Sequence, residues 1–145
     1  METISALGLD VGNKRIGVAG CDGTGLIATG LFTIERTSFS RDVEQLGELV
    51  KQRQVQILVV GLPYTMEGKL GSQARKVQKF AHKLSVNLGL PIEYVDERLT
   101  SFAAEELLKE QKLSPSRNKD LIDRKAAAII LQQWLDNRRC SGSSD

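Results

Sequence analysis

The sequence is poor in cysteine, histidine and aromatic residues, and each shortage argues against a class of site. Its 145 residues include two cysteines, Cys21 and Cys140, and one histidine, His82. No cysteine–histidine spacing typical of a zinc site occurs. Cys140 lies near the end of the chain, which argues against a structural disulfide, and this cysteine usage is typical of a reducing cytoplasm, where we expect the protein to act. Aromatic residues make up 5% of the chain, too few to indicate base stacking on a sheet surface.

Several common sequence signatures are also missing. The chain contains no Walker A loop and no GxSxG elbow, and its N-terminal residues do not resemble a signal peptide. No apolar run reaches the length of a membrane span, so we expect no membrane partner. The net charge of +2 is too small to predict a polyanionic partner by itself, so the local distribution of charge has to decide.

The pattern of apolar residues predicts one α/β domain. Three strands joined by short turns come first and are expected to form an antiparallel meander, at 4–11, 16–21 and 26–34. Helices and buried strands then alternate: a helix after Ser38, a strand at 55–61, a helix at 72–88, a strand at 92–95, and helices at about 100–111 and 120–137.

This order of elements predicts a ribonuclease H-like fold. The sheet should be mixed and five-stranded, with three antiparallel strands, two helix-connected parallel strands, and helices on both faces. We expect the domain to span residues 1–138 and residues 139–145 to form a disordered tail.

An acidic residue inside the first apolar strand is the main candidate for chemistry. Asp10 lies between Gly8 and Gly12, and a carboxylate in a strand is costly to desolvate unless a cation or hydrogen-bond donors meet it. The two glycines allow a ligand or another backbone to come close. The alternative is a strand end at which Asp10 only caps the following turn.

Two further carboxylates are expected to converge on Asp10. Glu97 follows the last strand and Asp123 lies in the first turns of the final helix, and sites in open α/β sheets lie where parallel strands end. Three neighbouring carboxylates repel one another unless divalent cations lie between them, so we expect one or two Mg²⁺ or Mn²⁺ ions. Two ions about 4 Å apart can activate a water and stabilise the leaving oxygen of a phosphodiester.

Structural alternatives remain for both of these carboxylates. Glu97 can pair with Arg98 or Lys14, and Asp123 is favoured near a helix N-terminus in any case. Asp96 competes with Glu97 as a ligand, and because side chains alternate along a strand, only one of the two can face the site.

Basic residues are concentrated in the helix predicted at 72–88. Arg75, Lys79 and Lys83 recur every four residues, and no acidic residue occurs between Gly68 and Pro91. This basic stripe is a candidate for contacts with a phosphate backbone, and the alternative is an ordinary solvated face. A second group of cations brackets Asp123 and comprises Arg117, Lys119, Arg124 and Lys125.

Four motifs, in order along nearly the whole chain, resemble those of the YqgF family. They are GLDVGNKRIGVA at 8–19, VGLP at 60–63 followed by ARKVQKFA at 74–81, DERLTS at 96–101, and Ile122-Asp123 with AAAIIL at 126–131. The family is described both as Holliday junction resolvases and as pre-16S rRNA nucleases with a ribonuclease H-like fold. The sequence departs from the usual family pattern at Asn13 and at Arg124-Lys125.

The resemblance implies catalytic, metal-binding acids at Asp10, Glu97 and Asp123. We expect nucleic-acid contacts from a set of basic and hydroxyl side chains, Lys14, Arg15, Arg75, Lys79, Lys83, Arg98, Thr100 and Ser101. The leading hypothesis is a metal-dependent nuclease that processes the 5′ end of the pre-16S rRNA in ribosome biogenesis, with pre-ribosomal particles as partners. The alternatives are a resolvase of branched DNA and a non-catalytic ribosome-assembly factor, and a homodimer is left open.

One further hypothesis arises from the first motif. Asp-x-Gly followed by a lysine also resembles the phosphate loop of actin-like kinases and chaperone ATPases. Those proteins enclose a nucleotide between two such lobes, and a chain of 145 residues has room for one.

Overall fold

The chain folds into a five-stranded mixed sheet with helices on both faces. The computed structural model describes residues 4–22, 25, 27–63, 71–96 and 119–142. In chain order the elements are β1 (Ala6–Val11), β2 (Arg15–Cys21), β3 (Ala28–Glu35), α1 (Phe39–Arg53), β4 (Ile57–Leu62), α2 (Ser72–Leu88), β5 (Ile92–Asp96) and α3 (Lys119–Gly142). The helix expected at about 100–111 lies outside the described residues.

The strand order is β3-β2-β1-β4-β5. Strand β2 pairs antiparallel with both β1 and β3, whereas β1, β4 and β5 pair in parallel. The predicted meander followed by two helix-connected parallel strands is therefore confirmed. The parallel strands end on one side of the sheet, at Val11, Leu62 and Asp96, and we call this side the carboxyl edge.

Helices α1 and α2 cover one face of the sheet, which we call the α1/α2 face. Apolar side chains of alternate strand residues pack there, among them Leu7, Leu9 and Val11 of β1. Helix α1 begins where the Ser38 hydroxyl accepts a hydrogen bond from the Arg41 amide, and it ends at Gln54, whose φ of 52° is left-handed.

The first turn of α1 departs from the expected pattern. The helical periodicity places Asp42 off the apolar stripe, yet Asp42 is only 2% exposed. Its carboxylate lies 3.7 Å from Nε of Arg36 and accepts a hydrogen bond from the Thr37 amide. The arginine and the helix N-terminus together stabilise a charge that the periodicity of α1 alone would leave in solvent.

Helix α3 covers the opposite face of the sheet, and small residues allow it to lie very close. A Cβ atom added to Gly8 would lie 2.7 Å from Cβ of Leu131, and one added to Gly17 would lie 2.0 Å from the carbonyl oxygen of Asp123. The glycines therefore set the depth at which the helix backbone packs on β1 and β2. The apolar core on this face includes Ala127, Ile130, Leu131, Trp134 and Leu135.

Helix α3 is longer than the sequence pattern suggests. It continues to Gly142 instead of ending near Asn137, so residues 139–142 of the segment expected to be a disordered tail are helical. No proline or glycine interrupts the chain between Lys119 and Gly142, and the basic residues at 138–139 are favoured near a helix C-terminus. Within the described ranges, no helix has both the length and the apolar character needed to cross a membrane.

The contact between Gly17 and α3 gives a testable expectation. Gly17→Ala would force a methyl group against the Asp123 backbone, which cannot move aside like a flexible side chain. We expect this variant to lose about 3 kcal/mol of unfolding free energy, measured by urea denaturation. Gly47→Ala is the matched control, because its Cβ would meet only a side-chain atom of Leu88 at 3.4 Å and alanine favours the helix, so stability should hold or rise by about 1 kcal/mol. Equal stability of the two variants would contradict the close packing of α3.

Candidate active site

Asp10 lies on the face of the sheet that α3 covers. Along β1, Leu7, Leu9 and Val11 pack on the α1/α2 face, so the alternating positions Ala6, Gly8 and Asp10 lie on the α3 face. Asp10 is the last residue on this face before the strand ends, and it is partly exposed. The carboxylate therefore lies at the carboxyl edge with access to solvent.

Asp123 reaches the same place from α3. Asp10 is directly opposite Gly17 on β2, and the Cβ direction of Gly17 meets the backbone of Asp123. Opposite residues in an antiparallel pair have Cβ atoms about 5 Å apart, so the start of Asp123 lies one side chain away from Asp10. Asp123 is in the second turn of α3, which begins at Lys119.

Arg15 provides the positive charge at this site. Its Nε donates a hydrogen bond of 2.6 Å to Oδ2 of Asp123, and the two side chains are 29% and 20% exposed. The sequence predicts a nucleic-acid contact for Arg15, and the structure shows that its guanidinium is engaged with a candidate catalytic acid. The partners are 108 residues apart in the chain, so no local pattern indicates the pair.

The donor set of the site fits a hard divalent cation. Asp10 and Asp123 supply carboxylate oxygens, which are the ligands that Mg²⁺ and Mn²⁺ prefer. Among the described residues no group of three or more metal-ligating side chains occurs. The third expected ligand, Glu97, lies outside the described residues.

Asp96 is placed away from this site. On β5, Ile92 packs on the α1/α2 face and Val95 on the α3 face, so alternation assigns Asp96 to the face opposite Asp10. Tyr94 shares the face of Asp96, and burial raises the pKa of its phenol. Glu93 accepts a hydrogen bond of 3.0 Å from Nε1 of Trp134, which ties β5 to α3.

Arg36 holds the turn that follows Asp10, and the sequence analysis does not identify it. One of its terminal nitrogens donates a hydrogen bond of 2.6 Å to the carbonyl of Gly12, and its amide donates to the carbonyl of Lys14. The guanidinium also lies 4.6 Å from the centre of the Phe80 ring and near Asp42. Arg36 thus joins the β1–β2 turn to α1 and α2 through charge and ring contacts that only the folded chain assembles.

The basic stripe lies on the α1/α2 face, not on the face of Asp10. Arg75, Lys79 and Lys83 are all exposed on α2, and Nζ of Lys83 lies 5.7 Å from the centre of the Phe39 ring. Helix α2 starts at the carboxyl edge, where a cavity of about 440 Å³ is lined by Gly12, Asn13, Arg36, Lys76 and neighbouring residues. Lys76, which is not part of the basic stripe, therefore lies close to the turn that follows Asp10.

The remaining expected contacts divide into two groups. Lys14 is exposed in the β1–β2 turn beside Arg15. Arg98, Thr100 and Ser101 lie outside the described residues.

Comparison with known proteins identifies the family of the chain. A family model described as "RuvX: Holliday junction resolvase" matches residues 4–137. The chain belongs to this family. The RuvX and YqgF names refer to the same resemblance, so the sequence assignment is confirmed.

Close relatives carry a different functional name. A protein of Trichormus variabilis named "Putative pre-16S rRNA nuclease" is 70% identical over 141 residues, covering 97% of this chain and 93% of the relative. A protein of the same name from Crocosphaera subtropica is 71% identical over 141 residues, covering 97% and 99%.

Solved structures confirm the ribonuclease H-like fold. RuvC of T. thermophilus in complex with a Holliday junction substrate aligns with a TM-score of 0.57 at 16% identity, covering 94% of this chain and 96% of RuvC. Fowlpox virus resolvase with Holliday junction DNA gives a TM-score of 0.56 at 9% identity, covering 92% and 98%. At these identities the likeness concerns the fold alone.

The role of Arg36 leads to a stability prediction. Arg36→Met keeps much of the side-chain volume but leaves the buried carboxylate of Asp42 without its cation and the Gly12 carbonyl without its donor. We expect a loss of about 3 kcal/mol of unfolding free energy in urea. Arg41→Met removes an exposed arginine from the first turn of α1, the turn that contains Asp42. It should change stability by less than about 0.5 kcal/mol. A similar loss in both variants would show that Arg36 contributes only general charge.

Proposed function

We propose that this chain is a divalent-metal-dependent nuclease that hydrolyses phosphodiester bonds of structured RNA, with the 5′ end of the pre-16S rRNA as its substrate. The observation that supports the proposal most is that Gly17, directly opposite Asp10, packs against the backbone of Asp123, whose side chain is hydrogen-bonded to Arg15. Neighbouring carboxylates are electrostatically unfavourable without positive charge, and a fold that keeps both at an open edge is suited to a cation site.

Each residue has a specific part in the proposed reaction. Asp10 and Asp123 hold the cation through carboxylate oxygens, and Glu97 is proposed as the third ligand because Asp96 is assigned to the other face. A divalent cation held by these residues would supply an activated water and stabilisation of the leaving oxygen. The exposed Lys14 contacts phosphates next to the cleaved bond, and its cationic charge keeps the substrate backbone at the edge.

The RNA substrate is supported by the names of the relatives that are about 70% identical over nearly the whole chain. On the same basis we propose pre-ribosomal particles as partners, and from the low cysteine content we propose that the protein acts in the cytoplasm. A four-way DNA junction is the second candidate substrate, because the family model is described as a Holliday junction resolvase and two structural neighbours were solved with junctions. Both substrates are long, folded polyanions, and the same acids would serve either one.

A direct experiment tests the proposal. The purified protein is incubated with a pre-16S rRNA fragment and with a four-way DNA junction, each with Mg²⁺, with Mn²⁺ or with EDTA. We expect cleavage of the RNA at its 5′ side in the presence of metal and no cleavage in EDTA. Cleavage of the junction alone would assign the second function, and binding of RNA without cleavage under all conditions would favour a non-catalytic assembly factor.

Substitution of Asp10 separates catalysis from binding. Asp10→Asn keeps the side-chain shape but removes one charge and a strong metal ligand, so cleavage should fall by about a hundredfold or more. Binding of the RNA in EDTA should hold or tighten, because the variant no longer presents this negative charge to the phosphates. Gel-based cleavage and binding assays on the same preparations measure both effects.

A matched control is available on α3. Asp136→Asn makes the same chemical change at an exposed position more than three helical turns from Asp123, and cleavage should match that of the wild type. An Asp10→Asn variant that cleaves at the wild-type rate would rule out Asp10 as a ligand. One that fails to fold would show that the role of Asp10 is structural.

The basic stripe is tested by the salt dependence of binding. Replacing Arg75, Lys79 and Lys83 together by alanine should weaken RNA binding and reduce the log–log salt slope by about 1 for each phosphate that the variant no longer neutralises. Lys51→Ala is the control, because this exposed cation lies near the C-terminal end of α1, away from the carboxyl edge, and its removal should leave the slope unchanged. A triple variant with the wild-type slope would show that the stripe is a solvated face.

A further inference from the structure

The position of Arg15 relative to both acids differs from that of an ordinary surface cation. Arg15 and Gly17 lie on the same face of β2, and Gly17 is directly opposite Asp10. Arg15 is therefore the diagonal neighbour of Asp10, with Cβ atoms roughly 7–8 Å apart, a span that a long side chain bridges. From this position its Nε reaches Oδ2 of Asp123 at 2.6 Å.

The guanidinium therefore lies against Asp123, on the side of the site from which a cation shared with Asp10 would have to approach. A divalent ion bound by both Asp10 and Asp123 must come within a few ångströms of Arg15, and the two positive charges repel each other in a partly screened site. The ion must also compete for the carboxylate of Asp123, one of whose oxygens is already held in a short charge-assisted hydrogen bond.

We propose that Arg15 is an internal competitor for the metal, which neutralises Asp123 in the metal-free protein and gives up that carboxylate when the divalent ion binds. This inference rests on the proposed function, because it takes Asp123 as a metal ligand. Its consequence is that the free protein binds metal more weakly than its acids alone would. The released guanidinium faces the carboxyl edge, where a substrate phosphate is a suitable new partner.

The partial exposure of the pair is compatible with such an exchange. The side chains of the pair are 29% and 20% exposed, so water screens their attraction only in part. A contact of this kind stabilises the metal-free fold moderately and can still be exchanged, whereas a fully buried pair would hold Asp123 permanently.

The test is the binding of Mn²⁺ alone, measured by titration calorimetry without nucleic acid. Removing the competitor in Arg15→Gln should tighten Mn²⁺ binding roughly tenfold. The same variant should melt roughly 4 °C lower than the wild type in EDTA, because the two neighbouring acids lose the positive charge of Arg15. Saturating Mn²⁺ should remove this difference in melting temperature. Arg41→Gln removes the same charge from an exposed position in α1, on the other face of the sheet, and should change Mn²⁺ affinity less than about twofold.

A second variant keeps the test interpretable if Arg15→Gln folds poorly. Arg15→Lys keeps the positive charge but lacks the Nε donor, so its Mn²⁺ affinity should fall between those of the wild type and Arg15→Gln. Weaker Mn²⁺ binding in both variants would overturn the proposal, because Arg15 would then orient Asp123 for the metal instead of competing with it. Unchanged affinity in both variants would overturn it as well.

Failure of the underlying site gives a different result. If Asp10→Asn abolishes Mn²⁺ binding while the Arg15 variants bind like the wild type, the metal site stands and only the competition is wrong. If neither the wild type nor any variant binds Mn²⁺ at millimolar concentration, the proposed metal site is wrong and the role of Arg15 is overturned with it.

Discussion

The close packing of α3 on the sheet is the constraint on which the rest of the site depends. Gly8 and Gly17 let the helix backbone approach β1 and β2 to distances that any side chain would prevent. Gly17 is directly opposite Asp10 on the neighbouring strand, so the approach of α3 at Gly17 brings the backbone of Asp123 near Asp10. Side chains at Gly8 and Gly17 would push α3 outward and move Asp123 away from Asp10.

The packing of α3 brings negative charges together at the sheet edge, and this determines which ions the edge can bind. Two carboxylates forced together at a sheet edge raise each other's energy unless positive charge is present. Arg15 supplies that charge from within the chain, and its contact with Asp123 is partly open to solvent. The contact with Arg15 therefore partly neutralises Asp123 in the absence of metal.

Much of the fold follows from local patterns, whereas the site depends on contacts between distant residues. The turn chemistry and the apolar alternation predict the meander and the two parallel strands, and the glycines beside Asp10 indicate a close approach. They do not show that the approaching backbone belongs to α3, or that Arg15 meets a residue 108 positions away. The buried Asp42 is missed for a different reason: its cation, Arg36, is only six residues away, but it lies in the connection between β3 and α1, outside the helical periodicity that assigns Asp42 to solvent.

The candidate catalytic acids and the basic stripe lie on opposite faces of the sheet, and this sets a minimum length for a substrate that contacts both. Asp10 and Asp123 lie on the α3 face, whereas Arg75, Lys79 and Lys83 lie on α2 behind the sheet. A ligand that contacts both sets has to cross the carboxyl edge at Gly12 and Asn13 and extend over more than one layer of about 10 Å. A mononucleotide is too short for this path. A folded or branched nucleic acid is long enough, and its backbone would pass the lysine of the β1–β2 turn where it crosses.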